Sequence, residues 1–332
     1  MQEIPRHYEG GAARLDLKDK KLLFELDFDA RASYSDLAKR VGLSKQGAEY
    51  KFRGLIEKGV VKGFYPVINV PKLGYQYCRL LLTLQNASRE KEREIIDYLK
   101  AHEKVFWLFE MQGPFDLLLV IWARSLKEFQ DFREEIVTNY GEFIKFSVET
   151  LPTDVIHYQH RYLLGGTGTK AVHIAETSER ISIDPLDVSI LKLLCGNARA
   201  SVAEMSRKLS ESEKVISYRV KKMQEQKLIE CYRPIINHSK LGLTYYKVLI
   251  NLSNVSRKEL EKLKKYVVSN PIVVYEVEGI GLPADFELEV MVKSNQELFD
   301  FIKDLKFKFP RMIGDYTTAV FVDTLKVRYL PF

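Results

Sequence analysis

The sequence predicts an α+β protein in which two helix-turn-helix units alternate with two βαββαβ units, and three observations carry that expectation. The pentapeptide "DARAS" at 29–33 returns as "NARAS" at 197–201. The same shift of 168 residues keeps the chain in register without a gap from Asp16 to about Gly113, so that "FYPVINVPKLGY" (64–75) meets "YRPIINHSKLGL" (232–243). One inserted residue then moves the shift to 169, pairing Asp116 with Asp285 and Ser125 with Ser294, and near the two ends "RYL" at 161–163 meets "RYL" at 328–330. Within each copy, apolar residues recur first at helical and then at strand spacing.

Each copy opens with three short helical patterns. Leu22, Leu23 and Leu26 share one face, as do Leu37, Ala38 and Val41. After a turn at Gly42, Ser44 is placed to cap a third helix that turns Ala48, Phe52 and Leu55 inward. The second copy repeats this with Ile190, Leu191 and Leu194, then Met205 and Leu209, then Ser212 as cap with Ile216, Val220 and Met223 inward. "VVKGFYPVIN" and "LIECYRPIIN" follow, β-branched, aromatic and interrupted by proline, which reads as a short strand or wing. The rest of the first copy reads strand "YCRLLLTL", helix "REKEREIIDYLKAH", strands "KVFWLFEM" and "FDLLLVIWA", helix "LKEFQDFREEIVTN" and strand "FIKFSVETL". The second copy repeats that order, and the Gly/Thr-rich "LGGTGTKAVHIAETSER" between them has the composition of a flexible linker.

The outward face of each third helix carries groups suited to a DNA groove. A reading helix offers hydrogen-bonding side chains to base edges and cations to phosphates. The first offers Ser44, Lys45, Gln46, Tyr50, Lys51 and Arg53; the second offers Ser212, Lys214, Ser217, Tyr218, Arg219, Lys221 and Lys222. A solvated basic face is the plainer alternative, but the three-helix-plus-strand setting, present twice, favours double-stranded DNA as partner.

These residues resemble the Lrp/AsnC (leucine-responsive, feast/famine) family of transcriptional regulators. The resemblance is carried by "LDLKDKKLLFELDFDARASYSDLAKRVGLSKQGAEYKFRGLIEKGVVKGF", by "LG" in "PKLGY", and by "IDPLDVSILKLLCGNARASVAEMSRKLSESEKVISYRVKKMQEQKLIECY". It implies winged helix-turn-helix domains at 14–70 and 182–238 and ferredoxin-like effector domains at 74–163 and 242–332, joined by a linker at 164–181. It also implies a small-molecule effector, such as an amino acid, bound near Gly113, Asp116, Gly281 and Asp285; plain turns with a capping aspartate are the competing reading of those four. Departures from the family's pattern are Gly54 where a basic residue is usual, Gly47 in the same helix, and Lys227 where Gly59 stands in the first copy. Each helical glycine weakens its helix by roughly 1 kcal/mol relative to Ala. The second reading helix is therefore expected to contribute more affinity, with Arg219→Ala costing more than Lys51→Ala.

The sequence also limits other functions. With 332 residues, 46% hydrophobic and 29% charged, it reads as folded; a net charge of +6 permits nucleic-acid binding without requiring it. Three scattered cysteines and no 20-residue apolar run suit a reducing, cytoplasmic, non-membrane setting. His157 and His160 have the spacing of two metal ligands, but no third is evident, and Trp107, Phe109 and Trp122 read as core aromatics. No catalytic constellation or phosphate loop is present, so no cofactor and no enzyme activity are expected. Siroheme decarboxylases resemble the same family in fold and supply the alternative, a tetrapyrrole enzyme; a metabolite sensor without DNA binding is the other.

One asymmetry bears on assembly. Leu118 and Val120 correspond to Glu287 and Glu289, and Leu108 to Glu276, as if one face of the second sheet had turned acidic. Unpaired burial of such a cluster costs several kcal/mol. The expectation is a homodimer through the apolar first effector domain, with the acidic face left wet or set against something basic; the competitor is an intramolecular pseudo-dimer.

Overall fold

The computed structural model describes residues 11–166, 170–176, 179–253 and 255–332; parts of the expected linker, 167–169 and 177–178, lie outside them. The first copy opens with helices α1 (Leu17–Leu26), α2 (Tyr34–Val41) and α3 (Lys45–Glu57) and strand β1 (Val61–Ile68). Asp16 caps α1 in a reciprocal box with Asp19, Ser33 caps α2 and Ser44 caps α3, each meeting a backbone N–H that the helix itself cannot satisfy. Next come β2 (Gln76–Leu84), α4 (Arg89–Ala101), β3 (Val105–Gln112), β4 (Leu117–Ala123), α5 (Leu126–Tyr140), β5 (Ile144–Tyr158) and a short β6 (Ala171–His173). The second copy repeats the order with α6 (Pro185–Gly196), α7 (Val202–Leu209), α8 (Glu213–Glu225), β7 (Ile229–Ile236), β8 (Thr244–Leu252), α9 (Arg257–Ser269), β9 (Val273–Ile280), β10 (Phe286–Val292), α10 (Asn295–Lys308) and β11 (Ile313–Val327).

The two effector sheets close on each other. Strands run β5-β2-β4-β3-β11-β8-β10-β9 and return to β5, all antiparallel, so the eight make a closed barrel whose two seams, β3–β11 and β9–β5, join one copy to the other. Closure removes every open edge of both sheets. Side chains alternate accordingly. Leu117, Leu119 and Ile121 pack outward under α4 and α5, while Leu118, Val120 and Trp122 point into the barrel and share a core with Val277 and Phe321 of the second copy.

The dimer expectation is therefore corrected: the apolar face of the first sheet is spent inside its own chain. The acidic face is not wet either. Glu287 and Glu289 point into the barrel, where Arg79 and Lys247, which occupy equivalent positions in the two copies, meet them. Nor do the three glutamates share a face, since Glu276 lies on the opposite side of its strand, against Tyr158 and Lys264.

The repeated pentapeptide lies on the axis relating the copies. β1 and β7 pair antiparallel, with Tyr65 opposite Arg233 and Pro66 opposite Tyr232. Beside them, Arg31 donates to the Ala198 carbonyl while Arg199 donates to that of Ala30, so each "ARA" loop binds the other. The serine that ends each pentapeptide caps the helix that follows it. The "RYL" repeat is a second exchange: Arg161 donates to the carbonyls of Asn270, just past α9, at 3.2 Å and of Val273, which opens β9, at 3.1 Å, and Arg328 reaches the Glu103 carbonyl beyond α4 at 2.9 Å. Part of the expected linker is built into the fold, because β6 pairs with β5 and Ile174 and Ala175 are buried.

Candidate nucleic-acid interface

The paired wings fix α3 and α8 relative to each other, and both present the expected face to solvent. Ser44, Lys45, Gln46 and Arg53 are exposed, as are Ser212, Lys214, Ser217 and Lys221. Tyr50 and Tyr218, equivalent in the two copies, stand 81% and 63% exposed, which no core role explains. Arg53 pairs with Glu49 at 2.6 Å and Lys221 with Glu225 at 3.5 Å along their own helices, weak surface pairs that a phosphate can displace. Lys222 is half-buried.

Lys51 and Arg219 are also engaged within the head. Lys51 Nζ lies 2.7 Å from Asp16 and 2.9 Å from Asp19, and Arg219 lies 2.5 Å from Asp184 and 3.4 Å from Asp187. In both copies the cation ties the reading helix to the capping box of the first helix. Partial burial works against the Lys51 charge, but hydrogen bonds to the two aspartates hold its pKa above the ordinary lysine value. The repeated D-x-x-D at 16–19 and 184–187 was the sequence signal for this pairing.

The two heads differ in their turns. Gly42 and Gly59 have φ of +65° and +67°, and Ser210 and Lys227 hold the same left-handed conformation in the second head, at +55° and +58°. Each non-glycine there costs of order 1 kcal/mol.

Of the four residues expected near an effector, the two glycines sit at the barrel seams and the two aspartates just before β4 and β10. A Cβ on Gly113 (φ +141°) would meet the Thr318 carbonyl at 2.9 Å, and one on Gly281 (φ +69°) the Glu149 carbonyl at 2.9 Å. Asp116 accepts from the Leu84 N–H at 2.6 Å and Asp285 from the Leu252 N–H at 2.8 Å, each tying two strands of its own sheet. The cavity beneath the wings is lined by none of them.

That cavity, of about 190 Å³, lies between the wing pair and the end of the barrel. β1 and β7 roof it, and Trp107, Phe109, Trp122 and Tyr275 form much of its floor, with His157, His160 and His238 at one side. His157 stacks on Tyr275 with ring centroids 3.9 Å apart. Burial, then the nearby Arg233 charge, hold His157 and His160 well below the ordinary histidine pKa, so both are neutral. Beside them Asp27, at the end of α1, accepts from Arg233 at 2.6 and 3.0 Å and from the His160 N–H at 2.7 Å. The symmetry-related positions hold Cys195 in the second copy and Tyr65 in the first, so this link is made once and ties down the first head only.

The duplicated architecture matches known domain patterns. The AsnC-type helix-turn-helix domain matches residues 183–224, a winged helix-turn-helix DNA-binding domain matches 15–62, and the Lrp/AsnC ligand binding domain matches 78–144. The HTH-type transcriptional regulator LrpA of Pyrococcus horikoshii is 33% identical over 117 residues, which is 35% of this chain and 82% of that protein. The chain belongs to the Lrp/AsnC family. AldR of Mycobacterium tuberculosis, another HTH-type transcriptional regulator, is 29% identical over 121 residues, 36% of this chain and 68% of its own length. Each of these relatives spans about one copy of the Lrp/AsnC unit that is present here twice. Along almost the whole chain the fold is similar to that of the siroheme decarboxylase NirDL, with a TM-score of 0.64 over 94% of this chain and 93% of that one at 14% identity. That likeness is one of fold.

Proposed function

We propose that the protein is a cytoplasmic, sequence-specific regulator of transcription that is not an enzyme, and that one chain brings two reading helices to double-stranded DNA and answers to a small-molecule effector. The observation that carries this reading is the exposed, symmetry-related pair Tyr50 and Tyr218, flanked by Ser44, Lys45, Gln46 and Arg53 on one helix and by Ser212, Lys214, Ser217, Lys221 and Lys222 on the other. Lys51 and Arg219 position those helices without touching DNA. The second head binds more tightly, because Gly47 and Gly54 loosen the first helix. Gly113, Asp116, Gly281 and Asp285 mark effector positions only where a ligand reaches them; their present partners are backbone groups. A gel shift of the purified chain on its own upstream region at two salt concentrations tests the reading. Specific, salt-sensitive binding that weakens in Lys214→Ala is expected; binding indifferent to sequence would contradict it.

A second reading, action on a tetrapyrrole, is favoured by the aromatic cavity with its three histidines. NirDL was solved with an iron-uroporphyrin III analogue. Such a molecule bears several carboxylates, and among the described residues the cavity lining offers one Lys or Arg, Arg328, already engaged by the Glu103 carbonyl. We therefore prefer the regulator, and expect no shift in the Soret band of iron-uroporphyrin when the purified protein is added.

A further inference from the structure

We propose that the cavity between the paired wings and the barrel is a binding site for an uncharged, planar aromatic or heteroaromatic molecule, and that its occupant alters how the two heads sit on the barrel. The second half rests on the regulator reading; the first does not.

Size and shape favour a flat guest. At about 190 Å³ the space exceeds the roughly 150 Å³ apolar cavity that takes up benzene. The Tyr65 and Tyr329 rings are stacked 4.8 Å apart within 13° of parallel, and His157 lies within 21° of the Tyr275 plane, so ring faces, which suit offset stacking, line the space.

Charge excludes an ion. Among the described residues Arg328 is the only Lys, Arg, Asp or Glu in the lining, and its guanidinium lies over Phe106, 4.9 Å from the ring centroid, while donating to the Glu103 carbonyl. A buried ammonium would find no counter-charge there, and a carboxylate would find only Arg328, whose guanidinium is already committed to Phe106 and the Glu103 carbonyl.

Polar groups are nevertheless left over. His160 is 5% exposed and its Nδ1 has no hydrogen-bond partner, lying 3.7 Å from Asp27. His157 is 4% exposed, and no hydrogen bond engages its ring among the described residues. A guest carrying an amide, a ring N–H or a hydroxyl answers those groups, as buried polar atoms require.

The roof makes occupancy matter. β1 follows α3, and β7 follows α8, with a turn of a few residues between. His160 lines the cavity and its backbone N–H holds Asp27, so a guest that shifts His160 shifts the end of α1 in the first head.

The chain's two tryptophans, Trp107 and Trp122, both line the cavity, so intrinsic fluorescence reports on it directly. The full chain is titrated with 4-nitrobenzamide, a neutral, planar, non-fluorescent quencher. Saturable quenching is expected, at least tenfold weaker in Val327→Phe, which fills the space, and also weaker in His157→Leu should the first variant fail to fold. Quenching that rises linearly without saturating, or equal affinity in both folded variants, overturns the site. Tighter binding of 4-nitrobenzoate than of the amide overturns the uncharged assignment. An operator affinity that changes at least threefold with the amide supports the coupling, and an unchanged one removes it while the site stands. A chain that quenches saturably but binds no specific DNA removes the regulator reading and leaves the site in place.

Discussion

Arg79 of the first copy and Glu287 of the second face each other fork to fork inside the barrel, with Nη1 and Nη2 at 2.7 and 2.9 Å from the two carboxylate oxygens. Lys247 also contacts Glu287 and lies 2.7 Å from Glu289, so two cations and two carboxylates share a buried space inside the barrel. A buried pair adds little over an apolar one, but removing one partner strands a charge at a cost of about 3–5 kcal/mol. Arg79→Met is therefore expected to lose about that much stability in urea titration, and Arg79→Met with Glu287→Leu to recover part of it. A single variant as stable as the parent would contradict the pairing.

The same carboxylate sets an acid limit. Burial raises the Glu287 pKa, but the Arg79 and Lys247 charges overcome it and hold the group at about 2. A folded pKa below the unfolded value of roughly 4.3 means full stabilisation above that pH and loss as pH falls toward 2. In Glu287→Gln this part of the pH dependence should disappear, which urea midpoints between pH 4.5 and 2 would reveal, the range being set by those two values.

Histidines act in a higher window. His157 and His160 are kept neutral by burial first and then by Arg233, with His160 and His238 adding to the effect on His157. The unfolded chain takes up protons below about pH 6.5 and the folded one does not, so stability is full above that pH and falls by up to about 1.4 kcal/mol per pH unit for each histidine below it. His157→Phe should flatten the slope between about pH 6.5 and 5; an unchanged slope would mean His157 already protonates in the fold.

Lys51 and Arg219 separate positioning from contact. Because each is held by two carboxylates, Lys51→Met and Arg219→Met should lower the thermal midpoint of the chain. Lys45→Ala and Lys214→Ala should instead leave the midpoint alone and each lower the salt dependence of DNA binding by about one unit of slope. The reverse pattern would exchange the roles.

Ser210→Gly and Lys227→Gly should each stabilise the second head by about 1 kcal/mol, by relieving left-handed backbone at +55° and +58°. Denaturant titration checks this, and a loss of stability in both would show that side-chain contacts outweigh the backbone strain.

Much of this was legible in the sequence because it is local. Ser44 and Ser212 read as caps and cap α3 and α8; Leu118, Val120, Glu287 and Glu289 follow strand alternation. What escaped depends on partners far apart in the chain. Arg79 and Glu287 are 208 residues apart, Asp27 and Arg233 are 206 apart, and nothing in the spacing of either pair says that they meet. The acidic strand was visible, but its counter-charges sit singly in the apolar runs "YCRLLLTL" and "YKVLINL", where each reads as an interruption. The cavity escaped for the same reason, being assembled from β1, β7 and the end of a barrel that both copies build.

The claim on which the rest depends is that one chain closes the barrel alone and so carries two heads at a fixed spacing. Counting half-sites per chain tests it most directly, by footprinting an operator at a protein-to-DNA ratio set by titration. One 38.6-kDa chain should protect two half-sites, about one duplex turn apart, whatever higher assembly forms. Protection of a single half-site per chain, with two chains needed for the pair, would contradict it.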